Sequence, residues 1–396
     1  MPSLPNRQQW LITIITVLCG AVCGVHIAKL GPSMTAIIDE YSMSLTEAGV
    51  LASTFTLLTI FVGALVGNLM PQIGVKRLIC SAMTLATIGG IAALLSTDYE
   101  ALIIGRALEG IGLIIMMIAG PTAVSMFTDL GSRAKHMGLW AAFMPLGTGL
   151  SFLLAPYIIP TDGWRGLWLF SIIFSVASLL GALIVIPNDK QPMSFSINKQ
   201  KLRKAFSQTP LIWLGIIFAM HSLVFHVTLQ FIPIYGTQSL NASFTTISLV
   251  IGAFCILNVF GNLIAGNAIH RGVSTSRLIQ IQFIAAPVLG IIVFTSDLPD
   301  FLKLGTILFG AFFTSMVPAS CFTLIAKLAD EPSDIPAFNG LMLQVQGAGI
   351  LFGPSLTGWA VEFFHSWSVA GAIFVIGSTI MLFIVYVKIK PLSASL

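Results

Sequence analysis

Charge is what this sequence has least of. Asp, Glu, Lys and Arg make up 9% of its 396 residues, against about 25% in a typical soluble domain. Apolar residues make up 56%, and the mean hydropathy is +0.95. Composition alone excludes a soluble globular fold. Cysteine is scarce too. Cys19, Cys23, Cys80, Cys255 and Cys321 all fall inside or at the ends of apolar blocks, where they read as small, soft packing residues. No companion residues complete a metal site, and no metal or other cofactor is expected. Nucleotide-binding and catalytic signatures are missing: there is no G-x-x-x-x-G-K-[ST], no H-E-x-x-H and no G-x-S-x-G. An enzymatic or ATP-driven role therefore finds no support, and no nucleic-acid partner is expected.

What is present is about twelve apolar blocks, each near the roughly 20 residues that a helix needs to cross a bilayer core. Spans fall near 10–38, 46–70, 77–96, 99–126, 136–158, 164–186, 209–236, 243–266, 277–296, 301–326, 336–362 and 366–388. The expectation is an all-α membrane protein of 12 transmembrane helices. The first block runs too long for a signal peptide and lacks a convincing cleavage site, so it reads as a retained helix. With the N-terminus in the cytoplasm, 15 of the 19 basic residues lie in cytoplasmic segments. The opposite side holds Arg165 and Lys303 with nine acids. That distribution obeys the positive-inside rule and puts both termini in the cytoplasm. The economy of the loops suits a bacterial inner membrane.

The longest polar stretch, residues 187–210, separates six spans from six. It gives an N-terminal bundle over 1–186, a cytoplasmic central loop over 187–208 and a C-terminal bundle over 209–396. The halves are related. Gly67-Asn68-Leu69 recurs as Gly261-Asn262-Leu263, Pro32 as Pro233, Gly147-Thr148-Gly149 as Gly347-Ala348-Gly349, and Trp164 as Trp367, in order and at offsets near half the length. This supports a duplicated six-helix unit. Two pseudo-symmetric bundles around a midplane site form an alternating-access architecture, and a monomer suffices for it.

Three local patterns carry a resemblance. The connector Gly67-Asn68-Leu69-Met70-Pro71-Gln72-Ile73-Gly74-Val75-Lys76-Arg77 resembles the loop between spans 2 and 3 of the major facilitator superfamily, G-x-x-x-D-R-x-G-R-[RK]-[RK]. Pro71 and Gln72 replace its acid and arginine. Arg106-Ala107-Leu108-Glu109-Gly110-Ile111-Gly112 resembles the R-x-x-x-G-x-G segment of span 4, and Gly163-Trp164-Arg165 resembles the lead into span 6. The resemblance covers essentially the whole chain. Its texture, including Phe231-Ile232-Pro233-Ile234-Tyr235, is most similar to the cyanate-permease-type group, which is associated with small anions. It implies gating roles for Gly67, Gly74, Lys76, Arg77, Gly110 and Gly112. Gly349, Gly353 and Pro354 in span 11 resemble a G-x-x-x-G-P pattern associated with efflux, and they read either as helix packing or as a hinge.

Charged residues inside spans are expensive and face cavities or partners. Here they are Lys29, Arg106 and Glu109, joined by His26, His221 and His226. Lys29 and His26 share a face of span 1, and Gly31-Pro32 is expected to break or bend that helix just beyond. Lys29 reads as a fixed positive charge at a substrate site, as a side chain snorkelling to the interface, or as the ion-pair partner of Glu109. Arg106 reads as an anion clamp or as an organiser of span 4. Glu109 reads as a proton-coupling residue or as the permanent neutraliser of Arg106, with His26 and His226 as further coupling candidates. His226 with Gln230 is expected to face the cavity opposite span 1, with His221 packing nearer the inner end. Asn258 and Gln344 complete the candidate substrate-binding set. Two fixed cations against one acid favour a negatively charged small molecule. The sequence therefore points to secondary active transport of a small organic or inorganic anion, coupled to protons. Proton-coupled efflux of drugs or metabolites is the alternative.

Overall fold

The computed structural model describes residues 4–56, 73–129, 132, 136, 139–140, 142–188, 199–329 and 334–395. Among them there is no strand. In chain order the elements are α1 (Asn6–Ala28), α2 (Leu30–Tyr41), α3 (Leu45–Thr54), α4 (Val75–Leu94), α5 (Tyr99–Phe127) and α6 (Phe143–Val185). They continue with α7 (Lys199–Ser207), α8 (Thr209–Ser239), α9 (Phe244–His270), α10 (Thr275–Phe294), α11 (Asp300–Thr314), α12 (Met316–Leu328), α13 (Ile335–Phe364) and α14 (Ser368–Ile384). Nine helices among the described residues are long and apolar enough to cross a membrane. The 43-residue α6 holds two expected spans, because Gly163 leaves the helical region at φ 62° and ψ −169°.

Three proline positions explain where helices loosen. A helical proline offers no N–H and crowds the carbonyl four residues earlier. Span 1 was expected to yield just beyond Lys29, at Gly31-Pro32. The interruption instead falls at Lys29 itself, between α1 ending at Ala28 and α2 starting at Leu30. Ala28 is four residues before Pro32, which is the physical reason for the correction. Span 10 breaks in the same way: α11 ends at Thr314, four residues before Pro318, and α12 resumes at Met316. In α8, Pro233 frees the carbonyl of Leu229, and Gly31 has no side chain because a Cβ would collide with that oxygen.

The sequence predicts a loop over 187–208. Its second part is the helix α7, tied to the start of α13 by a Lys204–Asp334 ion pair.

Spans of the two halves meet closely on the side away from the termini. A Cβ on Gly49 of α3 would lie 2.7 Å from the Pro354 carbonyl of α13. Ser53 and Ser355 hydroxyls are 3.2 Å apart. Thr46 donates to the Glu362 carboxylate from both its hydroxyl (2.6 Å) and its backbone N–H (3.2 Å). Glu362 thus places a negative charge at the N-terminal end of α3, where exposed N–H groups favour it.

Candidate functional site

Two charged pairs, three residues apart in sequence within each pair, converge in the N-terminal half. His26 lies in the last turn of α1 and Lys29 at the interruption after it. Arg106 and Glu109 lie on α5. The approach of α5 depends on small residues in α4: a Cβ on Gly89 would lie 2.6 Å from the Glu109 amide nitrogen. All four side chains are buried, with Lys29 and Arg106 at 0% exposure. Lys29 Nζ donates to Glu109 Oε1 at 2.7 Å and to Ser171 Oγ at 2.9 Å. It also lies 3.1 Å from His26 Nδ1 and 4.4 Å from the centre of the Trp168 ring. Arg106 pairs with the other carboxylate oxygen of Glu109 and donates to the His26 carbonyl at 2.6 Å.

The serines of α6 orient the histidine. Ser175 Oγ donates to the Ser171 carbonyl at 2.7 Å and lies 2.9 Å from His26 Nε2. With its own proton so used, Ser175 accepts from His26 Nε2–H. Nδ1 of a neutral His26 then accepts from Lys29. The same Nδ1 stands 3.0 Å from Glu109 Oε1, a contact that becomes a hydrogen bond only when Nδ1 carries a proton. Three atoms able to hold a proton, on Lys29, His26 and Glu109, therefore lie within 3.1 Å of one another.

The charges do not cancel. With His26 neutral, Lys29 and Arg106 oppose Glu109 alone. Arg106 Nε and Nη2, both buried, have no hydrogen-bond partner among the described residues. A buried charged donor left unpaired costs several kcal/mol. The guanidinium sits 5.4 Å from the centre of the Phe55 ring. Arg106, Glu109, His26, Phe55, Cys23 and Leu113 line one small cleft.

Residues of α8 approach the same place from the C-terminal half. The His226 ring is 6.0 Å from Phe55. Its Nδ1 lies 2.9 Å from the Ser222 carbonyl. Gln230 Nε2 donates to the Ile27 carbonyl of α1 at 3.2 Å. His221 turns into the C-terminal half instead, where Gln282 Nε2 lies 2.9 Å from its Nδ1. Gln282 Oε1 accepts from Val317 N–H at 3.2 Å, which caps the break in span 10. Asn258 serves that break too: its amide donates to the Ala311 carbonyl at 3.1 Å and to Thr314 Oγ1 at 2.9 Å. Asn258 is expected in the substrate-binding set, but its amide nitrogen is committed to the carbonyl and the threonine hydroxyl at this break. Gln344 is partly buried on α13. Gln346 on the same helix donates to Ser222 Oγ at 2.8 Å.

The expected gating residues are mostly places of close approach. A Cβ on Gly110 would meet the Phe55 carbonyl, and one on Gly112 the Ala82 carbonyl 2.6 Å away. Gly349 and Gly353 face Ala219 and Leu223 of α8. Pro354 lies against Gly49. Gly74 takes φ 97° to open α4. Lys76 donates to the Leu183 carbonyl at 2.7 Å, at the C-terminal end of α6, where a cation is favoured. Arg77 is exposed on α4. Gly67 lies outside the described residues. Sequence reasoning missed Trp168, Ser171 and Ser175, although their spacing of three and four residues marks one helical face.

Residues 10–299 and 237–395 match the family model described as Major Facilitator Superfamily. A 4-hydroxybenzoate transporter, PcaK, of Acinetobacter baylyi is 30% identical over 209 residues, covering 51% of this chain and 44% of that protein. Probable anion transporter 6, chloroplastic, of Arabidopsis thaliana is 22% identical over 395 residues, covering 92% and 75%. The crystal structure of a D-xylose-proton symporter superposes with a TM-score of 0.73 at 17% identity, covering 94% of this chain and 97% of that one. The chain spans less than half the length of the first curated relatives it matches.

Proposed function

The chain belongs to the Major Facilitator Superfamily, and from that premise we propose that it is a secondary active transporter moving a small anion by alternating access, coupled to protons. The observation that carries this reading is the Arg106 guanidinium. It is fully buried, has two nitrogens without hydrogen-bond partners among the described residues, and belongs to a cluster with more cations than acids. A bound anion would supply both the missing charge and the missing acceptors, and the planar fork of arginine suits a carboxylate. The names of two relatives, a 4-hydroxybenzoate transporter and a probable anion transporter, support a carboxylate or other small anion. They also agree with the small-anion group that the sequence resembles.

In this reading Lys29 sets the positive field and Arg106 clamps the anion. The proton moves among Glu109, His26 and Lys29 as the site opens and closes, with His226 a second candidate. His226 and Gln230 complete the binding site from the second half. Anion and proton travel together, which suits uptake. Both termini lie in the cytoplasm of a bacterial inner membrane, and the monomer is the working unit. The present conformer is then the one closed on the outer side.

The test is a thermal-shift series on the detergent-purified protein with small carboxylates, inorganic anions and cationic drugs. A ligand that binds only the folded form raises apparent stability. Stabilisation by an anion, lost in Arg106→Ala, is the expected result. Stabilisation only by bulky cations would replace this reading with proton-coupled efflux.

A further inference from the structure

The two polar side chains of α8 nearest the cluster are hydrogen-bond acceptors by construction. A backbone carbonyl only accepts. The 2.9 Å contact between His226 Nδ1 and the Ser222 carbonyl therefore fixes the proton on Nδ1, and the neutral ring presents Nε2 as a lone pair. The same reasoning fixes Gln230. Its Nε2 donates to the Ile27 carbonyl, so the carbonyl end of its amide is the free one. That Oε1 is buried without a partner among the described residues, and the residue is 0% exposed. His226 Nε2 makes no hydrogen bond among the described residues but, unlike the Gln230 oxygen, is not fully buried. Residues four apart share a helix face, about 6 Å from one another along the axis. One face of α8 thus carries two unused acceptors. Across Phe55, which approaches the His226 ring on one side and the Arg106 guanidinium on the other, lies the unused donor pair of Arg106.

Donors of α5 and acceptors of α8, on either side of Phe55, would together suit a bipolar ligand. We propose that the substrate is a hydroxylated carboxylate, its carboxylate held by Arg106 and its distal hydroxyl donating to His226 Nε2 or Gln230 Oε1. This rests on the anion reading above and narrows it. A simple inorganic anion or an unsubstituted carboxylate would leave the Gln230 oxygen buried and unpaired. A dicarboxylate would bring a second acceptor against two acceptors. A site built to receive a hydroxyl discriminates strongly against analogues that lack it.

The experiment compares dissociation constants of purified protein for 4-hydroxybenzoate, benzoate and 4-methoxybenzoate, and for 3-hydroxybutyrate against butyrate. The expected result is that, in at least one series, the hydroxyl form binds about tenfold more tightly than the forms lacking a donor. His226→Phe keeps a ring and removes the acceptor, and Gln230→Met keeps the length and removes the oxygen. The preference should shrink in at least one of them while weak binding of benzoate or butyrate persists. His226→Gln, which retains an amide oxygen, should hold part of the preference. Two variants at separate positions keep the test open if one fails to fold. Equal binding of all members of both series overturns the hydroxyl assignment and leaves the anion reading standing. Binding of no carboxylate, with binding of bulky cations, overturns both.

Discussion

The residue that concentrates the physics is Arg106. A buried guanidinium with two free nitrogens is a destabilising feature of the empty protein and a stabilising one once an anion arrives. The two effects separate in mutants. Arg106→Ala removes the unmatched cation and leaves Lys29 to neutralise Glu109, so the ligand-free melting temperature is expected to hold or rise while anion affinity falls at least tenfold. Arg106→Lys keeps the charge and loses the fork, so it should recover only part of that affinity. Melting curves with and without benzoate check both. Glu109→Gln has the opposite sign. It leaves Lys29 and Arg106 facing each other without a carboxylate, at a cost of about 3–5 kcal/mol by analogy with broken buried pairs. Anion should restore part of that loss, and exchange of anion for anion should survive while accumulation on a pH gradient fails. The sequence displayed each half of this cluster, since His26 with Lys29 and Arg106 with Glu109 are three apart. That the two pairs meet was one of three readings open for Lys29, as the ion-pair partner of Glu109, and spacing within one helix could not choose among them. Ser171 and Ser175 escaped notice because serine is an ordinary residue in a span until a histidine rests on it.

At the scale of elements, the helix interruptions follow from proline chemistry and were partly legible. Pro32 announced a weak point in span 1. Its effect appears one turn earlier, at Lys29, because the crowded group is the carbonyl four residues back. The break in span 10 was not anticipated, although Pro318 lies four residues after its last helical residue, Thr314. Gln282 and Asn258 cap that break from α10 and α9, so two in-span amides with the look of ligand groups serve the backbone. The contact of α3 with α13 is the other informative element pair. Gly49→Val would drive side-chain carbon into the Pro354 carbonyl and the Ser355 Cα, 2.7 and 2.8 Å from where a Cβ would sit. It should hold this side of the molecule open. Labels on α3 and α13 at this end should then report a longer distance in electron–electron resonance than in the unsubstituted protein. An unchanged distance would show that the close approach is not what closes this side. Glu362→Ala, which removes the bonds to Thr46, should act in the same direction and more weakly.

For the whole molecule, fold class was the most legible feature, since apolar blocks of span length need only the bilayer's thickness to interpret. Gly163 shows where that legibility ended. The expected boundary between spans 5 and 6 is a kink at Gly163, where two helices meet with no longer loop between them. The central loop shows the same limit, because the basic run over 199–207 folds as α7 and anchors on Asp334. Alternating access asks two halves to separate on one side while they meet on the other. The contacts at Gly31, Gly49, Ser53 and Glu362 describe the side on which they meet. The buried cluster lies near these contacts, since Lys29 is two residues from Gly31.

The most direct measurement is uptake of labelled 4-hydroxybenzoate or benzoate into proteoliposomes under an imposed pH gradient, with the gradient present and then collapsed. The account predicts accumulation that requires the gradient, vanishes in Arg106→Ala, and in Glu109→Gln gives way to exchange without accumulation. Accumulation that persists in Arg106→Ala, or that ignores the gradient in the unsubstituted protein, would contradict it.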